Sequence, residues 1–481
     1  MAKKSFVQEY ESVASFLVLE LLALVAFGLG GVNVVFQYAG FIVALAATFF
    51  AFRNYSKEDL KPILYVAVPL VLMSIFTSFG KFFESYDILA NLGSFLALIS
   101  FLAVGLSARR MKSFSVKNAL LCIGAGLALL TLASTIITWV QYGLFYPLIH
   151  KDAAYYYYNG NLYSILNEMS WIVGFKVLEV SIDYGGLFAL LCTSFLPGLL
   201  FLDIKKDKLA FILFAVIGGI GLISIISIPN ILALIFAVVM FGVALFYKYL
   251  RNNKLAINIV RYAILVLFGF VIVVFFVMVL NNSIEGVHSF IEGNSVLNRL
   301  FNTNRYMNVI NPILEASLKS FNLFGINTMR YIDGYKIPDK VILTNTGIFE
   351  VEVLKEGGII AFILFLVFVL FAYESFAIYL SKSKDDNYVK VIFLTFLVGF
   401  VLYSSFKNDV FPITHSASSY YPFTRSLPFF LVLFVIGYTI LPKGKDEIEF
   451  ARSEAPVKEE TKKVVKEDDY DFSDVEEEEI I

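Results

Sequence analysis

The sequence predicts an all-α polytopic integral membrane protein of about twelve transmembrane helices, on three observations. Hydrophobic residues make up 58% of the 481 and charged residues 16%, against about 45–50% and about 25% in soluble domains. Mean hydropathy is +0.76, and the 50 Phe and 27 Tyr exceed what water-soluble cores of this length bury. Apolar runs also recur at the length a bilayer demands, since a hydrocarbon core of roughly 30 Å needs about 20 helical residues.

Those runs fall at 13–30, 32–52, 62–80, 88–107, 118–140, 185–202, 209–228, 230–248, 261–280, 357–379, 389–406 and 427–442. Gly28, Gly30 and Gly31 leave almost no loop between the first two. Lys3 and Lys4 lead into a span without a small-residue cleavage site, so the first helix is expected to be retained rather than removed as a signal peptide.

Basic residues fix the expected orientation. With the N-terminus cytoplasmic, each inner loop is basic: Arg53, Lys57 and Lys61; Arg109, Arg110, Lys112 and Lys117; Lys205, Lys206 and Lys208; Lys248, Arg251 and Lys254; Lys382, Lys384 and Lys390. The short outer loops hold only Lys81, Lys407 and Arg425. This is the bias that sets membrane topology, and it places both termini in the cytoplasm of a cell with the bundle in its cytoplasmic membrane. Residues 1–442 carry 31 Lys+Arg against 25 Asp+Glu, and 443–481 carry 7 against 15. The chain is therefore expected to divide into a transmembrane bundle, 1–442, and an acidic, disordered cytoplasmic tail, 443–481, open to a cytoplasmic partner.

The same composition excludes other classes. A net charge of −2 gives no support for nucleic-acid binding. Cys122 and Cys192 lie in apolar stretches and read as small core residues rather than a disulfide framework. Three histidines (His150, His288 and His415) and no CxxC offer no metal-ligand set. No metal and no cofactor is expected.

Two outer loops are long, 141–184 and 281–356, the second falling between helices 9 and 10. Long loops are usually functional. In the second, Met307, Ile310, Ile313, Leu314 and Leu318 recur at helical spacing, which suits an amphipathic helix on the outer surface interrupted at Asn311-Pro312. Cations and acids interleave there, a pattern that a solvated surface also gives. Arg305 and Arg330 stand out because guanidinium groups chelate phosphate oxygens in a planar fork. Tyr155 to Tyr158, ahead of Asn159-Gly160-Asn161, present aromatic faces that stack on sugars and equally well form an interfacial belt. Glu20, in mid-span, reads as a structural acid satisfied by a partner, and the three histidines read as structural residues with no visible partner.

The stretch Asn304-Arg305-Tyr306-Met307-Asn308 through Ser320-Phe321-Asn322-Leu323-Phe324-Gly325-Ile326-Asn327 resembles the Arg-led helix and following Gly turn of the O-antigen ligase/polymerase superfamily. Thr344-Asn345-Thr346-Gly347 through Glu356-Gly357-Gly358-Ile359-Ile360-Ala361 is similar to that family's segment entering the next span. The resemblance is clearest over roughly 300–375. The ligase branch has a His at the head of the second segment, where this chain has Thr344, Asn345 or Gly347. That difference favours the polymerase branch. Near Lys176 the family has an Arg, and its Ser-Arg turn appears here as Ser227-Ile228-Pro229-Asn230.

What the resemblance implies is an inverting, metal-independent glycosyl transfer on the outer leaflet. The donor is a saccharide on a polyprenyl diphosphate, and the acceptor is a glycan or other hydroxyl. Arg305 is then placed on the diphosphate, with Lys176 and Arg330 beside it and Asn345 and Tyr156 on the saccharide. Glu356 or Glu352 orients or deprotonates the acceptor. Glu352 and Glu356, four apart, also suit plain ion pairing with Lys355 or Arg330. Two other readings stand beside this one: a twelve-helix transporter or flippase of lipid-linked oligosaccharide, and an inactive relative with a structural role. The unequal halves and the 76-residue loop argue against the transporter.

Overall fold

The computed structural model describes 60–82, most of 98–109, 115–142, 182–227, 231–250, 284–294, 323–325, 349–407 and 423–440, with isolated positions elsewhere. All of these lie in the unit Met1–Pro442. Among the described residues every regular element is helical and there is no strand. In order they are α1 (Leu60–Phe82), α2 (Val116–Tyr142), α3 (Ile182–Thr193), the short α4 (Phe195–Gly198) with a 3₁₀ turn (Leu199–Phe201), α5 (Lys208–Ser227), α6 (Ile231–Leu250), α7 (Glu285–Gly293), α8 (Phe349–Lys382), α9 (Asn387–Lys407) and α10 (Phe423–Thr439). Six of them (α1, α2, α5, α6, α8 and α9) are long and apolar enough to cross a membrane. Gly186–Phe201 and Pro428–Thr439 are shorter apolar helices. The expected runs 13–30 and 32–52 and the tail 443–481 lie outside the described residues, apart from Ile42.

The burial pattern is that of helices dissolved in lipid. On α1, Ile63, Val66, Leu70, Met73 and Thr77 are buried at helical spacing. The opposite face exposes Leu64, Tyr65, Val68, Leu72 and Ile75. A helix apolar all round with one face open needs an apolar solvent on that face. The same holds for α6, which buries only the stripe Ala233, Phe236, Met240 and Ala244. Helix α9 is the central element, buried along most of its length. Cys192 is in the core as expected; Cys122 is not, because α2 turns it to the exposed side. In a bundle solvated by lipid, an apolar stretch does not identify a core position.

Small residues and polar seams set the helix contacts, the usual substitute for hydrophobic packing between helices in lipid. A Cβ at Gly105 would overlap the carbonyl oxygen of Phe434, and one at Gly437 would overlap that of Leu102. Segment 98–109 and α10 thus run parallel with their backbones in contact, and Phe101 and Phe430 stack at 5.0 Å. Thr135 donates to Ser224 at 2.8 Å between α2 and α5. Thr395 of α9 donates to the Ser194 carbonyl at 3.1 Å. Tyr65–Phe371 and Thr77–Gly357 run α1 antiparallel to α8. Met240–Gly399 and Phe236–Tyr403 do the same for α6 and α9. These relative directions agree with the alternation of the expected spans.

One end of the bundle is tied by a polar cluster. Arg109 donates to Asp385 at 2.6 Å, to Tyr438 at 3.3 Å and to Ser383 at 3.3 Å. Its guanidinium carbon lies 5.5 Å and 5.2 Å from the ring centroids of Tyr379 and Tyr438. Burial pulls the Arg109 guanidinium down, but Asp385, Tyr438 and Tyr379 around it together outweigh this and leave it above its ordinary value. Nearby, Lys390 donates to the Ser383 carbonyl at 2.5 Å. Lys117 pairs with Asp207 at 2.5 Å, joining the start of α2 to the turn before α5.

The glycine crossing is testable. Gly437→Ala forces the two backbones apart at a cost of about 1–3 kcal/mol and is expected to lower the melting temperature of the purified protein in detergent. Gly219→Ala, where a Cβ meets nothing within 4 Å, leaves it unchanged.

Candidate functional site

Helix α8 is two helices. Gly358 interrupts it with φ 72° and ψ −167°, a region essentially reserved for glycine. Ring contacts show how sharp the break is. Phe349 lies 5.5 Å from Phe365, 5.0 Å from Phe429 and 6.3 Å from Phe400. In a straight helix sixteen residues at 1.5 Å each put Phe349 and Phe365 about 24 Å apart. The chain therefore reverses at Gly358, and Phe349–Gly357 lies folded back beside the first turns of the long segment. It is a re-entrant half-helix, buried at every residue except Glu350. Irregular backbone at such depth survives only where protein surrounds it.

The reversal is held from outside the helix. Gly325, at φ 96°, sits so close that a Cβ there would overlap the Glu356 carbonyl oxygen. A Cβ at Gly358 would come within 2.5 Å of the Leu323 carbonyl and the Gly325 nitrogen. Across the break, the Ile360 N–H donates to the Leu323 carbonyl at 3.3 Å, a partner outside its own helix. Phe324 stacks on Phe76 of α1 at 6.0 Å, and Gly357 abuts Thr77. The described parts of the two segments singled out in the sequence, 323–325 and 349–361, are thus in contact.

Charge is concentrated in this hairpin. Glu352, Lys355 and Glu356 are each 1% exposed. Lys355 Nζ lies 3.1 Å from Glu352 Oε1 and 3.3 Å from Glu356 Oε1. The i, i+3 and i+4 spacing of Glu352 with Lys355 and Glu356 puts all three on one side of the half-helix. Ionised groups inside a membrane bundle are costly, must be paired, and mark functional sites by default. The pairing with Lys355 is the one the spacing allowed. Residues 349–356 are not simply the end of an exposed outer loop.

Of the other predicted site residues, Arg305, Lys176, Arg330, Asn345 and Tyr156 lie outside the described residues, as does the 305–318 helix. Among the described residues no His, Cys, Asp and Glu side chains group so as to hold a metal. Two features were missed in the sequence. His288 has partners after all: its Nδ1 lies 3.1 Å from the Oδ1 of buried Asn281, and its Nε2 lies 3.3 Å from Glu292 Oε1. The i, i+4 spacing of His288 and Glu292 was the available signal. For the Arg109 cluster the available signal was the acid pair Asp385-Asp386 following Lys382 and Lys384. Comparison with protein-family models, characterised proteins and solved structures finds no match.

Gly358→Ala places a Cβ against the 323–325 turn in a backbone region costing about 1–3 kcal/mol for any other residue. The expected outcome is a reduced yield of monodisperse protein by size exclusion, with Gly219→Ala again as the neutral control.

Proposed function

We propose that the protein transfers glycosyl groups at the outer leaflet from a polyprenyl-diphosphate-linked saccharide, extending surface polysaccharide repeat units or ligating them to an acceptor. It would be a divergent member of the O-antigen ligase/polymerase superfamily. The supporting observation is the buried Glu352–Lys355–Glu356 set in a re-entrant hairpin clasped by the 323–325 turn. That hairpin unites the two segments whose sequence resembles the family. In this reading its charges lie near the outer interface, where a lipid-borne donor presents its headgroup.

In this reading the acceptor hydroxyl oxygen bonds to the anomeric carbon as the carbon–oxygen bond to the diphosphate breaks. The electron pair leaves on the diphosphate oxygen, and the hydroxyl proton passes to a carboxylate, Glu356 or Glu352. The leaving group is already good, so the protein's work is positioning and charge stabilisation. Arg305, Lys176 and Arg330 hold the diphosphate, while Asn345 and Tyr156 hold the saccharide. Both termini are placed in the cytoplasm, which puts the Arg109–Asp385 cluster on the inner side and the hairpin on the outer side.

A second reading, transport or flipping of the lipid-linked oligosaccharide, is favoured by one observation, the broken helix bearing buried charges. Complementation of a deletion strain separates the readings. Under glycosyl transfer, Arg305→Ala at normal protein level abolishes long-chain glycan, while the lipid-linked donor accumulates on the outer leaflet. Inner-leaflet accumulation supports transport. An unchanged glycan in the Arg305→Ala/Glu356→Gln double variant supports an inactive relative.

A further inference from the structure

We infer that Lys355 is a positioning residue for this transfer, the cation that pairs with Glu356 and aims it as the acceptor's proton-accepting group. The inference rests on the glycosyl-transfer reading and assigns a role to a side chain which that reading leaves without one. Two carboxylates one helical turn apart repel each other, and burial penalises each charge further. A cation placed between them offsets both effects and fixes where each carboxylate points. Lys355, among the largest fully buried side chains, sits between the two at 3.1 and 3.3 Å. An ammonium is a compact charge with three donors, so it can divide itself between two oxygens that do not share a plane.

The half-helix fixes where that charge can sit. Phe349 anchors one end among Phe365, Phe400 and Phe429. The glycine clasp anchors the other end, since a Cβ at Gly325 would overlap the Glu356 carbonyl. Glu356 is therefore the carboxylate nearest the turn and the one whose backbone touches the Leu323–Gly325 segment. Glu352 lies a turn deeper. The geometry points to a division of labour: Glu356 takes the proton as the acceptor oxygen bonds to the anomeric carbon and the diphosphate departs, Lys355 holds it ready, and Glu352 holds Lys355.

The test uses the full-length protein in membranes of a deletion strain, supplied with that strain's own lipid-linked saccharide. Chain extension is followed as rate against donor concentration. Lys355→Met is expected to lower the maximal rate about a hundredfold or more, the scale of a lost general base, with the donor concentration for half-maximal rate unchanged. Lys355→Arg restores the rate to within about tenfold of wild type, because the cation returns. The Glu352→Gln/Lys355→Met double variant removes one charge of each sign and leaves the net buried charge as it was. It is expected to accumulate at wild-type level and yet not extend chains. Normal extension by the double variant overturns the inference, and so does its failure to accumulate, which would make the set a fold element only. Failure of the glycosyl-transfer reading shows separately, as no restoration of extension by the wild-type gene.

Discussion

The hairpin end of this bundle depends on a close approach at two glycines, Gly325 and Gly358. Gly325 and Gly358 occupy positive-φ conformations that favour glycine, and a Cβ at either would overlap the backbone of the other's segment. Their contact lets the chain reverse at Gly358, and the reversal carries Glu352, Lys355 and Glu356 into the protein interior. Without it α8 would continue as one straight rod, and Glu352, Lys355 and Glu356 would project from the bundle. The hydrogen bond from Ile360 to Leu323 shows the same dependence at the backbone level, since a broken helix must find outside partners for its freed groups.

The two ends of the bundle are secured differently. At the Arg109 end a cation is shared among Asp385, Ser383 and two tyrosine rings, joining segment 98–109, the α8–α9 connection and α10. Few of its groups have freedom to move, because Asp385 also accepts from Tyr379 at 2.7 Å and Tyr438 at 3.2 Å. At the hairpin end the fastening is steric, made of glycine contacts and the Phe349 cluster. Such packing fixes a shape without spending the polar groups that chemistry needs.

Much of the architecture was legible in the sequence because membrane solvation writes itself into long stretches. Runs such as 209–228 and 230–248 reappear as Lys208–Ser227 and Ile231–Leu250. The re-entrant half-helix was not legible. Nine residues of which four are charged look like the end of a loop by hydropathy, and only Gly357-Gly358 hints at the turn. The buried ion set was half legible, since the spacing of Glu352, Lys355 and Glu356 allows pairing but does not tell burial from exposure. Cys122 failed for the opposite reason, as an apolar neighbourhood in lipid carries no information about which face is covered.

The hairpin also constrains how the chain is made. At about 1.5 Å per residue, the nine residues Phe349–Gly357 reach only about 13 Å, far short of a bilayer. An insertion machinery that partitions nascent segments by hydrophobicity will therefore recognise the stretch after Gly358 and pass over the charged piece before it. That piece has to be drawn in later, once α9 and α10 have been synthesised and Phe400 and Phe429 are present to receive Phe349. Assembly of the interior at this end is thus a late event of biogenesis, completed from the C-terminal side of the chain.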